Sequence, residues 1–228
     1  MDRFEFQIQQ RKVCVYPSSA KGPIVYMHSF MDNGDAFCRQ LKTRCPDHTL
    51  VVISHLHWDD DLTPWYCPPL SKEDRPCGGK ADDWLQTLTH EIVPQVEDGL
   101  NEKPTYRILT GYSLAGLFAI YAMYHTDLFQ RAGSMSGSFW FPDFGAYIQH
   151  HEMCIQPDRL YFSLGTKEAC TPHPVLRTVQ ANTERLVKYY QEKGIKTRLE
   201  WNPGNHYQEA EQRMVRGIMW LLSGEDQS

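Results

Sequence analysis

Thr105-Tyr106-Arg107-Ile108-Leu109-Thr110-Gly111-Tyr112-Ser113-Leu114-Ala115-Gly116-Leu117-Phe118-Ala119-Ile120-Tyr121-Ala122-Met123-Tyr124 is the stretch from which the rest of the chain is best read. Residues 106–110 form a short apolar and β-branched run of the kind a buried strand needs. From Leu114 onward, Leu114, Leu117, Phe118, Tyr121 and Ala122 recur at helical spacing. Between the two lies Gly111-Tyr112-Ser113-Leu114-Ala115. A serine at so sharp a strand-to-helix turn has a strained backbone and a hydroxyl raised above the sheet edge, and small residues two positions either side keep the turn uncrowded. The amide of the next residue, Leu114, then stands at a helix N-terminus, where its N–H and the helix dipole favour a developing oxyanion. The pattern departs from the usual elbow in one place: alanine occupies the last small position, and glycine follows at Gly116. An extra methyl predicts tighter packing there, with the elbow kept.

Composition narrows the classes. A chain of 228 residues is long enough for one α/β domain, residues 1–228, with a core that needs no disulfide or metal staple. The formal net charge of −5 leaves no basic footprint for nucleic acid. No apolar run reaches membrane-spanning length, and the first six residues, charged and alternating, read neither as a signal nor as a transit peptide. Seven cysteines without a Cys-x-x-Cys pair fit reduced thiols and a cytoplasmic setting. Cys67 and Cys77 flank a loop and are the pair that would bridge on export.

Taken in order, residues 4–9 and 12–16 alternate with period two and predict an antiparallel entry hairpin. Residues 23–27 and 50–54 are continuous apolar runs, the signature of strands buried on both faces. A loop, 28–34, and a helix, 35–42, separate them. Residues 55–80, rich in Pro, Trp and Asp, form a long irregular stretch of the sort that usually has a functional role. Asp82 or Asp83 is placed to cap a helix running to about Val96. Further strands are expected at 131–136, 159–164 and 196–201, with helices at 174–192 and up to about 222. Strands alternating with helices imply a three-layer α/β sandwich, its mostly parallel sheet covered on both faces. Only a short interval separates Ser136 from Arg159, which leaves no room for a large lid. Ligands in such sheets bind beyond the carboxyl ends of the strands, and the elbow, Glu168 and His206 all fall there.

The chemistry follows from those positions. A serine hydroxyl needs a base within hydrogen-bond reach, and His206, in a Pro-Gly-Asn-His loop after the last strand, is the candidate. A carboxylate should hold the imidazole and stabilise its charged form. Glu168, just past the penultimate strand, is the first choice; Asp143 is a rival, Asp158 falls at the opposite rim, and a Ser–His dyad without an acid is the other reading. The loop after Met27 should supply a second oxyanion donor, the N–H of Phe30, to work with that of Leu114. Phe139, Trp140, Trp58 and His28 are read as substrate-pocket walls. Ser134, Ser136 and Ser138 lack the elbow pattern.

Gly-Tyr-Ser-Leu-Ala-Gly-Leu-Phe-Ala at 111–119, Ser-Gly-Ser-Phe-Trp-Phe at 136–141, Ser-Leu-Gly-Thr-Lys-Glu at 163–168 and Pro-Gly-Asn-His at 203–206 resemble the putative-esterase branch of the α/β-hydrolases, which includes esterase D and the enterochelin (siderophore) esterases. The resemblance covers about residues 20–220. It implies an α/β-hydrolase fold, cofactor-free serine-dependent hydrolysis of a small to medium carboxylic ester, and roles for Ser113 and His206; it supports Glu168 less firmly, because the acid varies. Siderophore esterases act on highly anionic catecholates, and this acidic chain shows no clustered basic rim, so that substrate is not carried over. Acyl transfer to an alcohol is the neighbouring reaction, and a non-catalytic binding module is the alternative from another class. A third reading starts from His55-Leu56-His57-Trp58-Asp59-Asp60, which resembles the His-x-His-x-Asp-His ligand motif of the metallo-β-lactamase superfamily. Asp60 replaces the last histidine there, so the stretch reads better as a pocket-rim loop, with no metal.

Overall fold

The structure, a computed structural model, describes residues 3–32 and 34–224. Met1, Asp2 and Asn33, the last within the loop expected at 28–34, lie outside them. An eight-stranded sheet is built from β1 (Phe4–Ile8), β2 (Arg11–Tyr16), β3 (Ile24–His28), β4 (Thr49–Ser54), β7 (Arg107–Tyr112), β8 (Arg131–Met135), β9 (Arg159–Gly165) and β10 (Lys196–Asn202). Its order is β1-β2-β4-β3-β7-β8-β9-β10. The β1–β2 and β2–β4 pairs are antiparallel, and every pair from β4 through β10 is parallel. Burial follows the sequence pattern. The continuous apolar runs became the fully buried β3, β4 and β9, while β1 and β10 at the edges alternate.

Successive residues of a strand point to opposite faces, and the two faces found different partners. Tyr26, Val51, Ile53 and Leu109 join one core with α3 (Ala81–Thr87), α4 (Val93–Asp98), α5 (Leu114–Ala122) and α7 (Val179–Glu192). Val25, Met27, Leu50 and Val52 meet α1 (Gly34–Lys42) and α8 (Ala210–Leu222) in the other. The parallel strands thus put all their C-terminal ends on one rim between two helical layers. No helix among the described residues is long and apolar enough to cross a membrane.

Three details differ from the sequence reading. The irregular stretch holds a single turn, α2 (Trp58–Asp61), and a two-stranded ribbon, β5 (Tyr66–Cys67) with β6 (Cys77–Gly78). Neither aspartate caps α3: Lys80 stands at the N-cap, and the Asp82 carboxylate accepts the Tyr121 hydroxyl at 2.8 Å instead. Between α3 and α4 the helix widens into a π-turn, Leu88–Ile92, just before Pro94. Proline has no N–H and crowds the carbonyl four residues back, and a wider turn relieves both. In addition, α6 (Phe144–His150) occupies the interval before β9.

His28 is not a pocket wall. At the end of β3 it is only 1% exposed, with its ring edge-on to Phe118 and Trp84 at 5.1 and 5.8 Å. The Trp84 indole N–H donates to His28 Nε2 at 3.0 Å. Its β3 register points the side chain into the layer holding α3 and α5, and burial drives the imidazole down to about 3. In the unfolded chain the ring takes a proton near 6.5, so across that interval the unfolded state binds more protons and stability falls as pH drops. Urea denaturation from about pH 6.5 to 5 should show this slope, and His28→Gln, which still accepts the Trp84 N–H, should flatten it. A slope unchanged in the variant would show that other groups carry it. Phe118, fully buried against the same histidine, should cost about 3–5 kcal/mol on Phe118→Ala, read as a lower urea midpoint with the slope retained.

Candidate active site

Ser113 directly follows β7 and precedes α5, with φ 58° and ψ −122°. Neighbouring backbone fixes this strained conformation: its N–H donates to Met135 O, and its carbonyl accepts from Gly116, Leu117 and Ser138 N–H groups at 3.0–3.1 Å. Gly111 shows why the turn tolerates Ala115. A Cβ at Gly111 would lie 2.3 Å from the Ala115 methyl and 2.4 Å from its backbone carbon. The bare position has to be Gly111, because a Cβ there would strike the Ala115 backbone as well as its methyl.

His206 reaches the serine from the far end of the chain. The Pro203-Gly204 turn, with Gly204 at φ +91°, follows β10 and swings the loop back over the sheet edge. His206 Nε2 lies 3.1 Å from Ser113 Oγ, and its Nδ1 lies 2.8 Å from Glu168 Oε2. Glu168 ends a tight turn after β9, in which its N–H donates to Gly165 O. The acid and histidine loops are bonded to each other: Thr166 N–H donates to Asn202 O, and Lys167 N–H to Gly204 O. They approach so closely because Gly165 has no side chain; a Cβ there would sit 2.5 Å from Gly204 O.

Glu168 is almost wholly buried, and burial alone would push its carboxyl up. The His206 hydrogen bond and charge, the Gly165 N–H and the Ser136 hydroxyl outweigh it and hold the carboxyl below the usual range. Its two oxygens divide the work. Oε2 serves His206, while Oε1 accepts from Gly165 N–H at 2.6 Å, Ser136 Oγ at 2.8 Å and Arg213 Nη1 at 2.9 Å.

A cavity of about 550 Å³ opens over Ser113 and His206. Trp58 and Trp140, both anticipated as walls, line it together with Leu114, Leu70, Leu176 and Tyr207. Phe139 does not. It is 2% exposed and packs on Phe144 and Phe162 in the core, because the turn after β8 sends its ring inward and the next residue outward. Leu114 is the first residue of α5, so its N–H has no carbonyl four residues back within the helix. Phe30 stands in the loop after β3, 75% exposed, its ring edge-on to Trp58 at 5.3 Å.

The rival acids stand elsewhere. Asp143 stands at the N-cap position of α6 in a left-handed conformation, and Asp158 precedes β9 beside Arg131 at the opposite rim. Sequence reasoning missed Arg213, Tyr112, Ser136 and Ser138. The Ser138 hydroxyl lies 3.2 Å from Ser113 Oγ, and Tyr112 donates to His206 O at 2.6 Å. Ser136 and Ser138 lack the elbow a nucleophile needs, and their hydroxyls make supporting bonds instead. Arg213 carried no local motif; only its place on an otherwise apolar helix face marked it.

The histidine-rich stretch is otherwise occupied. Arg11 grips Asp61 through two nitrogens and lies 3.3 Å from His57 Nδ1, and Lys80 pairs with Asp60 at 2.8 Å. Among the described residues, no three His, Cys, Asp or Glu side chains gather as a metal would require. Cys67 and Cys77 face each other across the ribbon as free thiols.

Comparisons with known proteins agree with this fold. The chain is 25% identical over 215 residues to the uncharacterized protein YbbA of Bacillus subtilis (strain 168), covering 87% of this chain and 85% of that protein. Its fold superposes on an IroE-like serine hydrolase from Shewanella oneidensis with a TM-score of 0.79 at 18% identity, over 97% of this chain and 79% of the other. The siderophore hydrolase EstB from Aspergillus nidulans gives 0.74 at 16% identity, over 100% and 96%. The Putative esterase family matches residues 8–214, nearly the whole α/β sheet and every residue of the Ser113–His206–Glu168 cluster, and the chain belongs to that family.

Proposed function

We propose that the protein is a serine-dependent carboxylic-ester hydrolase in which Ser113 is the nucleophile, His206 the general base and Glu168 the acid that orients it. The observation that carries this reading is the unbroken hydrogen-bonded series from Ser113 through His206 to Glu168, set on a strained elbow at the floor of a cavity. Ser113 Oγ attacks the ester carbonyl as His206 Nε2 takes its proton, and the imidazolium is stabilised by Glu168. The N–H groups of Leu114 and Phe30 receive the oxyanion. Collapse of the tetrahedral intermediate releases the alcohol, protonated by His206. Water, activated by the same imidazole, then frees the acid and regenerates the serine.

The lining favours a neutral ester of small to medium size. Trp58, Trp140, Leu70 and Leu176 give apolar walls, and the cations Arg75 and Lys167 are matched by the anions Asp59 and Asp74. A polyanionic catecholate would need a cationic excess there, so the substrates named for the siderophore-hydrolase neighbours are not adopted. We place the protein in the cytoplasm, as a single domain, on its odd set of cysteines and continuous sheet.

p-Nitrophenyl acetate hydrolysis tests the mechanism. Ser113→Ala should lower kcat by about 10⁵–10⁶-fold, and a fluorophosphonate should label the wild type but not the variant. Turnover that survives in Ser113→Ala would overturn the assignment. Products formed with added alcohols would separate hydrolysis from acyl transfer.

A further inference from the structure

Resting on the serine-esterase reading, we propose that Arg213 is the positioning residue of the site: its buried guanidinium holds Glu168 and the His206 loop in register and offsets part of the Glu168 charge, so that it sets the pH range in which His206 acts as a base.

Arg213 lies on the first turns of α8 and is 0% exposed, the largest fully buried side chain described. Its Nη1 serves Glu168 Oε1 at 2.9 Å, Ser136 Oγ at 3.0 Å and Tyr112 Oη at 3.2 Å. Its Nη2 donates to the carbonyls of Pro203 at 3.0 Å and Asn205 at 2.9 Å, the backbone immediately before His206. Tyr112, the residue before the nucleophile, passes the contact on by donating to His206 O. One planar head therefore touches the elbow strand, the acid and the base-bearing loop. A planar fork suits this task, because its donors leave in fixed and different directions.

Charge matters as well as shape. A buried carboxylate is costly unless paired, and Arg213 lies on the oxygen that His206 does not use. Without that cation, the uncompensated Glu168 charge would hold a proton on the imidazole more tightly. The other charged or titratable groups around the cluster are Tyr112 on β7, Lys167 beside Glu168, Tyr207 edge-on to the His206 ring, and Asp59, Asp74 and Arg75 across the cavity. Arg213 is the arginine at hydrogen-bond distance of Glu168, 2.9 Å from its Oε1.

The test is the pH dependence of kcat/KM for p-nitrophenyl acetate in Arg213→Met, Arg213→Gln and Arg213→Lys, with fold checked by circular dichroism. Met and Gln remove the charge, and Gln keeps donors. Both should lose about 10–100-fold in rate, and their acid limb should move to higher pH by on the order of one pH unit. Lys keeps the charge but has a single head, so its rate should fall while its limb stays within about 0.3 pH unit of wild type. Folded Met and Gln variants with the wild-type limb would overturn the proposal, as would full activity in either. Should Arg213→Met not fold, the Gln and Lys pair decides alone. Failure of the esterase reading would look different: wild-type protein would resist fluorophosphonate, whatever Arg213 does.

Discussion

A serine backbone held at φ 58°, ψ −122° is the constraint on which this molecule depends. Such a conformation costs about 1–3 kcal/mol and persists only where its surroundings over-determine it. Here they do. The β7 hydrogen bonds fix the chain up to Tyr112, α5 begins at Leu114, and all nine residues of α5 are buried. Burying several leucine- and phenylalanine-sized side chains at about 1.5–3 kcal/mol each outweighs the local strain. The strain is therefore a by-product of driving an apolar helix hard against the strand that feeds it, and the raised hydroxyl is its chemical yield.

A second constraint follows from burial. A carboxylate, an imidazole and a guanidinium share one corner of the rim, and the carboxylate and guanidinium are almost wholly out of water. Removing either would strand the other, and breaking such a pair typically costs about 3–5 kcal/mol. The site meets that cost with short hydrogen bonds: Glu168 receives one on Oε2 and three on Oε1. The same bonds pin the carboxylate's rotation. Electrostatic satisfaction and orientation of the imidazole are thus one arrangement, which explains why the acid comes from a tight turn at a strand end.

The sequence made the parallel sheet, its rim and the Ser113, His206 and Glu168 positions legible because each leaves a local trace. Buried strands read as unbroken apolar runs, the elbow needs a bare residue at Gly111, and Glu168 and His206 follow strands at glycine-containing turns. What it hid were choices made in three dimensions. Phe139 and Trp140 are adjacent and equally apolar, and only the turn after β8 decides which ring enters the core. His28 sits at the right rim, yet the β3 register points it away from the cavity. Asp82 had the composition of a cap but found a better donor in Tyr121, 39 residues away. Arg213 reads in one dimension as a charge on an amphipathic helix, and it acquires meaning only when β7, β9 and the β10 loop converge around it.

That convergence links the last helix to the site. Ser113, Glu168 and His206 lie 55 and 38 residues apart in turn, at the ends of three different strands. Loop-closure entropy grows only slowly with separation, so the greater demand is to hold three independently placed loops to within tenths of an ångström. The sheet fixes the strand ends but not the loops beyond them. A helix docked across β7, β8 and β9, carrying one buried fork into the gap, supplies the missing constraint. In this arrangement the Ser113–His206–Glu168 geometry is complete only once α8 has packed, so the free energy of burying Met214, Val215, Ile218 and Leu221 against the sheet is also the free energy that keeps the His206 imidazole aimed at Ser113.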